Sequence, residues 1–162
     1  LDGVQTHITN TSNLPVESLE VEYPLLVERY ELVPDSGGPG RWRGGMAIRR
    51  DMRVLEHAPV FRCSTSRRLS APWGIDGGLP GGMARIVVNG GATLPDSPGH
   101  WLLQPGDVAS IVTAGSGGYG DPRERDRGLL AEDVADGRVS EEQAREAHGQ
   151  TMDTRSNVTP RI

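Results

Sequence analysis

Residues 25–55 read LLVERYELVPDSGGPGRWRGGMAIRRDMRVL, and this stretch decides the class of fold. Residues 25–33 are typical of a strand, and the prolines and glycines of residues 34–40 predict a tight turn. Between residues 46 and 55 apolar and charged residues alternate, which indicates a second strand with one face against a core. The apolar face carries Met46, Ile48, Met52 and Val54, the other face carries Arg49, Asp51 and Arg53, and Arg50 interrupts the apolar face.

Further short strands are predicted at residues 60–65, 84–89, 101–103 and 108–113. Asn89-Gly90 predicts one hairpin turn, and residues 104–107, Gln-Pro-Gly-Asp, predict a second hairpin between the last two strands. The chain of 162 residues contains 22 glycines and 12 prolines, and this composition disfavours a helical bundle. The sequence therefore predicts a mainly β fold, an antiparallel sandwich or barrel of six or seven short strands.

Helical patterns occur at both ends of the chain. Residues 16–22 predict a short helix capped by Asn13, with Pro15 in its first turn. Two short helices are predicted at about 127–136 and 140–149, the second opened by a capping box at Ser140. The expected organisation is a β-rich domain at 1–120 with an N-terminal polar loop and short helix, a helical appendix at 121–149, and a polar tail at 150–162.

Composition excludes several classes of function. All 17 basic residues are arginine, so a Schiff-base lysine or a phosphate-loop lysine is excluded. A net charge of -5 gives no electrostatic footprint for nucleic acid or for an acidic membrane. The single cysteine, Cys63, cannot form an internal disulfide or a thiolate zinc cluster. The chain shows no signal peptide and no membrane-spanning apolar run, so a cytoplasmic location is expected.

The sequence GSGGYG at residues 115–120 spells the dinucleotide-binding pattern G-x-G-x-x-G. In a dinucleotide site the last glycines open a helix that faces the pyrophosphate, whereas here Asp121 and Pro122 follow. The sequence therefore favours a flexible or tightly turning glycine loop over a nucleotide site.

The four histidines lack the short spacings of a zinc motif. His57 and His100 are expected at the surface, and His148 is expected as a cation at the end of a polar helix. His7 lies among short polar side chains in the segment THITNTSN at residues 6–13. This segment is either a functional loop or an ordinary capped loop, and the residues alone leave both interpretations open.

Two arginines flank a tryptophan at Arg41-Trp42-Arg43 and could clamp a carboxylate or stack on a planar ligand. The favoured interpretation is structural, with Trp42 anchoring the glycine turn to the sheet and both arginines paired with acids of residues 17–31. Cys63 is expected to be buried rather than nucleophilic.

Several segments, taken in order, resemble the C-terminal part of the hydantoinase B/oxoprolinase family. THITNTSNLPVESLEVEYP at 6–24 is similar to its H-(M/I)-T-N-T-x-N-x-P-(I/V)-E-x-x-E segment. PDSGGPGRWRGG at 34–45 resembles its glycine-rich turn, and APWGIDGGLPG at 71–81 its P-W-G-x-x-G-G block. LQPGDVASIVTAGSGGYGDP at 103–122 resembles its P-G-D strand and terminal glycine loop. The resemblance covers about residues 1–149.

The resemblance implies a shared, two-part enzyme. In this family an A-type ATPase phosphorylates the substrate, and the B-type part completes hydrolysis of a hydantoin, 5-oxoproline or lactam. The implied cofactors are ATP/Mg in the A-type partner and a divalent metal in the N-terminal portion of the B-type subunit, with none expected within this chain. Because that portion has no counterpart here, and because the chain opens at Leu1 without methionine, we expect the C-terminal third of a B-type subunit, separately encoded or cleaved.

Site residues follow from the same resemblance. His7, Asn10 and Asn13 are the expected catalytic residues at the border of the substrate pocket, and Arg41, Arg43 and Trp73 are expected at the joint with the remaining portion. The expected partners are that portion, the A-type ATPase and a small cyclic amide or ketone. Two alternatives stay open: a subunit of a related ATP-dependent ketone carboxylase, such as acetone or acetophenone carboxylase, or a non-catalytic β-rich assembly module.

Overall fold

Two antiparallel sheets make up the β structure of the computed structural model, which describes Asp2 and residues 13–91 and 99–149. Within those residues the strands are β1 (Leu25–Val33), β2 (Ala47–Val54), β3 (Val60–Cys63), β4 (Arg85–Val88), β5 (Gly99–Leu102) and β6 (Val108–Val112). One sheet has the order β1-β2-β6-β4, and β3 pairs with β5 in a separate ribbon. The prediction of a β-rich antiparallel fold is confirmed, and the described strands do not close into a barrel.

The predicted strand-turn-strand unit is confirmed as the β1–β2 pair. Its register runs from Leu25 opposite Val54 to Val33 opposite Ala47, with a bulge between Val27 and Arg29. The alternation of β2 places Met52 and Val54 on the face that packs against the ribbon. On the other face Asp51 is buried, and the guanidinium of Arg49, 2.7 Å from its carboxylate, compensates the buried charge.

The main core lies between the four-stranded sheet and the ribbon. Val54, Leu103 and Ala109 form its buried centre, with Leu25, Phe61 and Val88 packed around them. The rings of Phe61 and Trp101, which face each other across the ribbon, are 5.9 Å apart. A half-open cavity of about 240 Å³, lined by residues of both sheets, lies beside this core.

Both predicted hairpins are wrong, although both turns form. Residues 104–107 make a turn in which the N–H of Asp107 donates to the carbonyl of Gln104 at 3.0 Å. This turn leads from β5 in the ribbon to β6 in the main sheet, because β2 and β4 occupy both sides of β6. Asn89 and Gly90 both have positive φ, as a tight turn requires, but β4 pairs with β6 rather than with the next strand.

Three glycine-rich segments, residues 36–45, 72–82 and 115–120, pack backbone against backbone, and we refer to them as the glycine bundle. Gly38 donates its N–H to Ser116 at 2.8 Å, and Gly118 donates to Leu79 at 2.9 Å. A Cβ added to Gly117 would lie 1.9 Å from the carbonyl oxygen of Trp73. The GSGGYG sequence therefore serves as a tightly packed loop whose amides bond to neighbouring carbonyls, as the tight-loop interpretation predicts.

Helices lie at both ends of the described chain. α1 (Val16–Glu22) forms as predicted, but its N-cap is Pro15 and no side chain caps it, so the assignment of Asn13 as the cap is wrong. A 3-10 helix (Pro122–Glu124) precedes α2 (Arg127–Ala135) and α3 (Glu141–His148). The hydroxyl of Ser140 accepts the N–H of Gln143 at 3.1 Å, which confirms the predicted start of α3. None of the helices in the described residues is long and apolar enough to span a membrane.

The C-terminal helices are attached to the turn after β1. Leu130, Val139 and Ala144 form a small core of their own, with Val134 beside it. The carboxylate of Asp35 accepts the N–H of Ser140 at 2.7 Å, and the Gln143 side chain donates to the Asp35 carbonyl at 3.3 Å. Gln143 therefore bonds to this turn instead of returning to its own helix N-terminus, as a full capping box would require.

Candidate functional site

Asn13 is the described member of the predicted catalytic set, and it lies against the apolar face of the main sheet. Its side-chain amide donates a hydrogen bond to the hydroxyl of Tyr30 on β1. The guanidinium carbon of Arg50 lies 4.4 Å from the centre of the same Tyr30 ring. Asn13, at the end of the polar segment 6–13, and Arg50, which interrupts the apolar face of β2, thus contact the same tyrosine. His7 and Asn10 lie outside the described residues.

Arg50 differs from the other arginines of β1 and β2 in its partners. Arg49 and Arg53 each lie within 2.7 Å of a carboxylate, that of Asp51 and that of Glu28 respectively. Arg29 lies 3.4 Å from the carboxylate of Glu31. Among the described residues no carboxylate lies within ion-pair distance of Arg50. Its planar fork of donors, which suits a carboxylate or phosphoryl group, therefore lacks an acidic partner in this part of the chain.

Asp2 fixes the chain immediately before the polar segment. Its carboxylate accepts two hydrogen bonds from Arg43, at 2.8 and 3.0 Å, and a third from the backbone N–H of Met46 at 2.8 Å. The Arg43 guanidinium and the Met46 amide lower the pKa of Asp2 to about 2, against a smaller effect of burial. Asp2, before the polar segment, is thus bonded to Arg43 of the glycine bundle and to Met46, and Asn13, at the end of the segment, is bonded to Tyr30 of β1.

Replacing Asp2 with asparagine should remove an acid-sensitive part of the stability. Because the pKa of Asp2 is lowered in the folded state, its contribution is complete above about pH 4 and is lost as pH falls toward 2. We expect Asp2→Asn to lower the free energy of unfolding by about 2 kcal/mol at pH 6 and by much less at pH 2. Urea unfolding at both pH values checks this, and an equal loss at both would contradict it.

A buried group of charges connects the C-terminal helices to the glycine bundle, and we call it the Asp133 cluster. The carboxylate of Asp133 accepts from Arg125 at 2.6 Å, from Arg43 at 3.3 Å and from Arg138 at 3.4 Å. Asp133 and Arg125 are buried. The predicted pairing of Arg43 with acids of residues 17–31 is therefore wrong, because Arg43 pairs with the half-buried Asp2 and the buried Asp133. Arg41 also pairs elsewhere, at 3.9 Å from Glu124.

His148 is buried rather than a surface cation at a helix end. It is 2% exposed, and its Nδ1 lies 2.8 Å from the carbonyl oxygen of Pro122. Burial lowers the pKa of His148, and the nearby Arg125 lowers it further. The neutral imidazole can donate its Nδ1–H to Pro122 and hold α3 on the 3-10 helix. His57 and His100 are exposed, which confirms the surface prediction for both.

The surface of the glycine bundle carries exposed apolar side chains. The backbones of Trp42 and Tyr119 form an antiparallel bridge, and Ile75 bridges Tyr119 from the other side. Because bridged residues point their side chains to the same face, Trp42, Ile75 and Tyr119 form one apolar row, each at least 50% exposed. The prediction that Trp42 anchors the glycine turn to the sheet is wrong, because its backbone pairs with Tyr119 within the glycine bundle and its side chain is exposed. Trp73 is also exposed, with the Arg67 guanidinium 4.5 Å from its ring centre.

Two further observations limit the chemistry of the described residues. No group of three or more His, Cys, Asp or Glu side chains among residues 2, 13–91 and 99–149 could hold a metal ion. Cys63 is half-buried at the end of β3, and burial raises the pKa of its thiol, so the nucleophilic thiolate is disfavoured.

Sequence reasoning missed the arrangement around Asn13. The break in the β2 alternation at Arg50 was visible in the sequence, but its contact with Tyr30 depends on the bulge between Val27 and Arg29, which no local pattern announces. The role of Asp2 was missed for a similar reason, because its partners Arg43 and Met46 are more than 40 residues away in sequence.

Comparison with known proteins assigns the chain to a family. The family model described as hydantoinase B/oxoprolinase matches residues 1–122, which is most of the chain and includes the polar segment, the sheet and the glycine bundle. The chain belongs to the hydantoinase B/oxoprolinase family. This confirms the family resemblance and accounts for the glycine motifs as parts of one packed unit.

Individual relatives within the hydantoinase B/oxoprolinase family are much longer than this chain. The chain is 34% identical over 157 residues to the B-type subunit of the putative D-/L-hydantoinase from a Pseudomonas species (strain NS671), covering 94% of this chain and 26% of that protein. It is 31% identical over 149 residues to the 5-oxoprolinase PfmaA of Pestalotiopsis fici, covering 82% of this chain and 11% of that protein.

A solved structure within this family has the same fold. The crystal structure of the ATP-dependent caprolactamase from Pseudomonas jessenii superposes with a TM-score of 0.69 at 33% identity. The match covers 89% of this chain and 26% of the caprolactamase chain. The chain therefore corresponds to about a quarter of that hydrolase chain.

Proposed function

We propose that this chain is the C-terminal part of a B-type subunit in an enzyme that opens a cyclic amide at the expense of ATP. The observation that carries the proposal is the structural match to the caprolactamase, which extends over nearly the whole of this chain. The hydantoinase and 5-oxoprolinase relatives act, by their names, on rings with the same amide bond. The proposed substrate is accordingly a hydantoin, 5-oxoproline or a lactam.

The chemistry explains why ATP is consumed. Resonance makes the carbonyl carbon of an amide a poor electrophile, and transfer of the γ-phosphoryl group to the carbonyl oxygen creates a leaving group and removes that resonance. Water then attacks the carbon and the ring C–N bond breaks, which leaves an acyl phosphate on the ring-opened product. A second water hydrolyses the acyl phosphate to the carboxylate and inorganic phosphate. Overall, the cyclic amide, ATP and two waters give the ring-opened amino acid, ADP and inorganic phosphate.

The remaining parts of the enzyme belong to other polypeptide segments in this proposal. An A-type ATPase subunit supplies ATP with Mg²⁺ and carries out the phosphorylation. The N-terminal portion of the B-type subunit supplies a divalent metal, whose chemistry is to activate water. Because the described residues offer no metal-ligand group, this chain contributes hydrogen bonds, charge and shape to the shared pocket.

His7, Asn10 and Asn13 are the residues proposed to border that pocket and to orient the activated intermediate or the attacking water. Imidazole and carboxamide side chains suit this role because each can hold a water molecule or a substrate oxygen by a directed hydrogen bond. The placement is supported by Asn13, which bonds to the hydroxyl of Tyr30, the same side chain whose ring contacts Arg50 on the apolar face of the sheet. A substrate ring would meet both apolar surface and polar groups there.

Replacing His7 with alanine in the assembled enzyme should lower kcat for ATP-dependent ring opening by about 100-fold or more, because a positioned proton-transfer or water-orienting group contributes on that scale. Association of the subunits, measured by size-exclusion chromatography, should be unchanged. His57→Ala is the matched control, since His57 is exposed and distant from Asn13 in sequence. Normal turnover of the His7 variant would contradict the assignment.

A second candidate, a non-catalytic assembly module, is favoured by the apolar row of Trp42, Ile75 and Tyr119. Exposed apolar patches on a rigid surface are typical of protein interfaces. In that case the chain would be required for co-purification of the other parts, whereas neither His7 nor Asn13 would affect turnover. Identification of the reaction product separates ring opening from the carboxylase alternative, since a carboxylase would release a carboxylated ketone.

A further inference from the structure

Arg50 lies in an unusual place for a charged residue. It points to the apolar face of the main sheet, in the row between Ile48 and Met52, and its cross-strand neighbours are Tyr30 on β1 and Ile111 on β6. The side chain is half-buried. Burying part of a guanidinium among apolar groups costs free energy unless its donors find acceptors, so this position requires an explanation.

The ring of Tyr30 supplies only part of the compensation. A guanidinium 4.4 Å from a ring centre gains a cation–π interaction on one face. This contact positions the guanidinium carbon over the ring and supplies no hydrogen-bond acceptor in the ring plane for its N–H donors. Tyr30 is in turn held by the hydrogen bond from Asn13, so the guanidinium is oriented before any acceptor arrives.

The described residues supply no carboxylate acceptor for Arg50. The other arginines of β1 and β2 use the acids Glu28, Glu31 and Asp51, and among the described residues no carboxylate lies within ion-pair distance of Arg50. Residues 3–12, which lead to Asn13, contain no aspartate or glutamate. The acids that the sequence holds at 92–98 and 150–162 are Asp96 and Asp153 alone. Within the part of the chain that the structure describes, the edge of the Arg50 guanidinium thus has no carboxylate acceptor, and its donors suit an added anion.

We propose that Arg50, held in place by Tyr30, binds a two-oxygen anionic group of the small-molecule substrate, either a ring carboxylate or the phosphoryl group of the activated intermediate. Both groups match the planar fork of an arginine with paired hydrogen bonds. The inference rests on the proposed ring-opening function and names a ligand contact within the same pocket. It also explains why Asn13 and Arg50 converge on one tyrosine.

Two substrates distinguish the sources of the anion. 5-Oxoproline carries a carboxylate on its ring, whereas caprolactam carries none, and both form an O-phosphorylated intermediate. In the complete enzyme, Arg50→Gln should lower kcat/KM by about 10- to 100-fold, the usual effect of a lost charge-assisted pair. A loss with 5-oxoproline alone supports the ring carboxylate. A loss with both substrates, together with weaker inhibition by inorganic phosphate, supports the phosphoryl group.

Control variants separate binding from charge and folding. Arg85→Gln removes the same charge from an exposed position on the opposite face of the sheet, and it should leave kcat/KM unchanged. Arg50→Lys keeps the charge but loses the planar fork, and it should recover only part of the loss. The thermal midpoint of the Arg50→Gln complex should stay within about 2 °C of wild type, because Arg50 is only half-buried and the described residues give it no ion pair to lose.

The outcomes that overturn the proposal are distinct from failure of the proposed function. If Arg50→Gln leaves both kcat/KM values and phosphate inhibition unchanged, Arg50 does not bind the substrate anion. If the variant instead weakens co-purification of the other subunits at normal kcat/KM, an acid of a partner chain is the acceptor. If the wild-type complex opens neither ring, the proposed function fails. Titration of wild-type and Arg50→Gln complexes with inorganic phosphate still tests Arg50, and equal affinities would overturn its role.

Discussion

Replacing Gly117 with alanine is expected to cost at least about 3 kcal/mol of folding free energy and to leave much of the protein unfolded or aggregated. The added Cβ would lie 1.9 Å from the carbonyl oxygen of Trp73 and 2.5 Å from its carbonyl carbon. Both atoms belong to the backbone, so no side-chain rotation can relieve the overlap. The 72–82 and 115–120 segments must move apart, and their interlocking hydrogen bonds, such as that from Gly118 to Leu79, must break.

Gly128→Ala is the matched control for this prediction. Gly128 is an exposed residue near the start of α2, where an added Cβ approaches only the side chain of Asp126, at 3.1 Å. Alanine is a better helix former than glycine, so the free energy of unfolding of the Gly128→Ala protein should stay within about 1 kcal/mol of wild type. Urea unfolding compares the three proteins. A Gly117→Ala protein as stable as Gly128→Ala would show that the glycine bundle is loosely packed.

Replacing Asp133 with asparagine should destabilise the protein by about 3 to 5 kcal/mol, the usual cost of removing one partner from a buried ion pair. Asp133 is the carboxylate shared by Arg125, Arg43 and Arg138. Without it the buried guanidinium of Arg125 loses a partner at 2.6 Å, and Arg43 keeps Asp2 as its acidic partner. The C-terminal helices should then separate from the glycine bundle before the sheet unfolds.

Asp136→Asn tests whether burial is the reason. Asp136 lies three residues further along the same segment and pairs with Arg138 at 2.8 Å, but its side chain is 54% exposed. An exposed pair contributes less than about 1 kcal/mol, so this variant should unfold nearly as wild type does. Hydrogen exchange locates the effect, with faster exchange expected first in α2 and α3. Equal losses from the two variants would mean that the buried arrangement adds nothing.

The sequence predicted those parts of the fold that local patterns specify. β1 and β2 follow from alternation and from the turn between them, and α3 follows from its serine cap and from Gly149, whose φ of +62° ends it. Strand pairing was harder to predict, because a turn sequence indicates that the chain reverses but does not indicate which strand the next segment pairs with. The Gln104–Asp107 turn illustrates this, since the strand after it inserts between β2 and β4.

The candidate site was predicted only as far as its residue types allow. The polarity of segment 6–13 pointed to His7, and the family resemblance to His7, Asn10 and Asn13, whose catalytic roles all stay predictions. Asp2, Tyr30 and Arg50 were not expected there, because their contacts join residues from 17 to more than 40 positions apart. Arg43 was assigned to the wrong acids for the same reason. The fold determines which charged residues pair, and the composition of a segment does not show which of several acids an arginine will contact.

The central position of β6 sets the order in which this chain can fold. β1 and β2 are synthesised before the other strands of the sheet and can pair on their own. The strand that joins β2 to β4 is β6, and it is complete only when residues 108–112 have been synthesised. The last glycine segment, residues 115–120, follows later still. Until then β4 has no partner strand, and the amides that later bond to these residues face water. Such long-range closure slows folding. A ribosome that stalls before residue 108 therefore holds an open sheet edge, which makes the emerging polypeptide a natural client for chaperones.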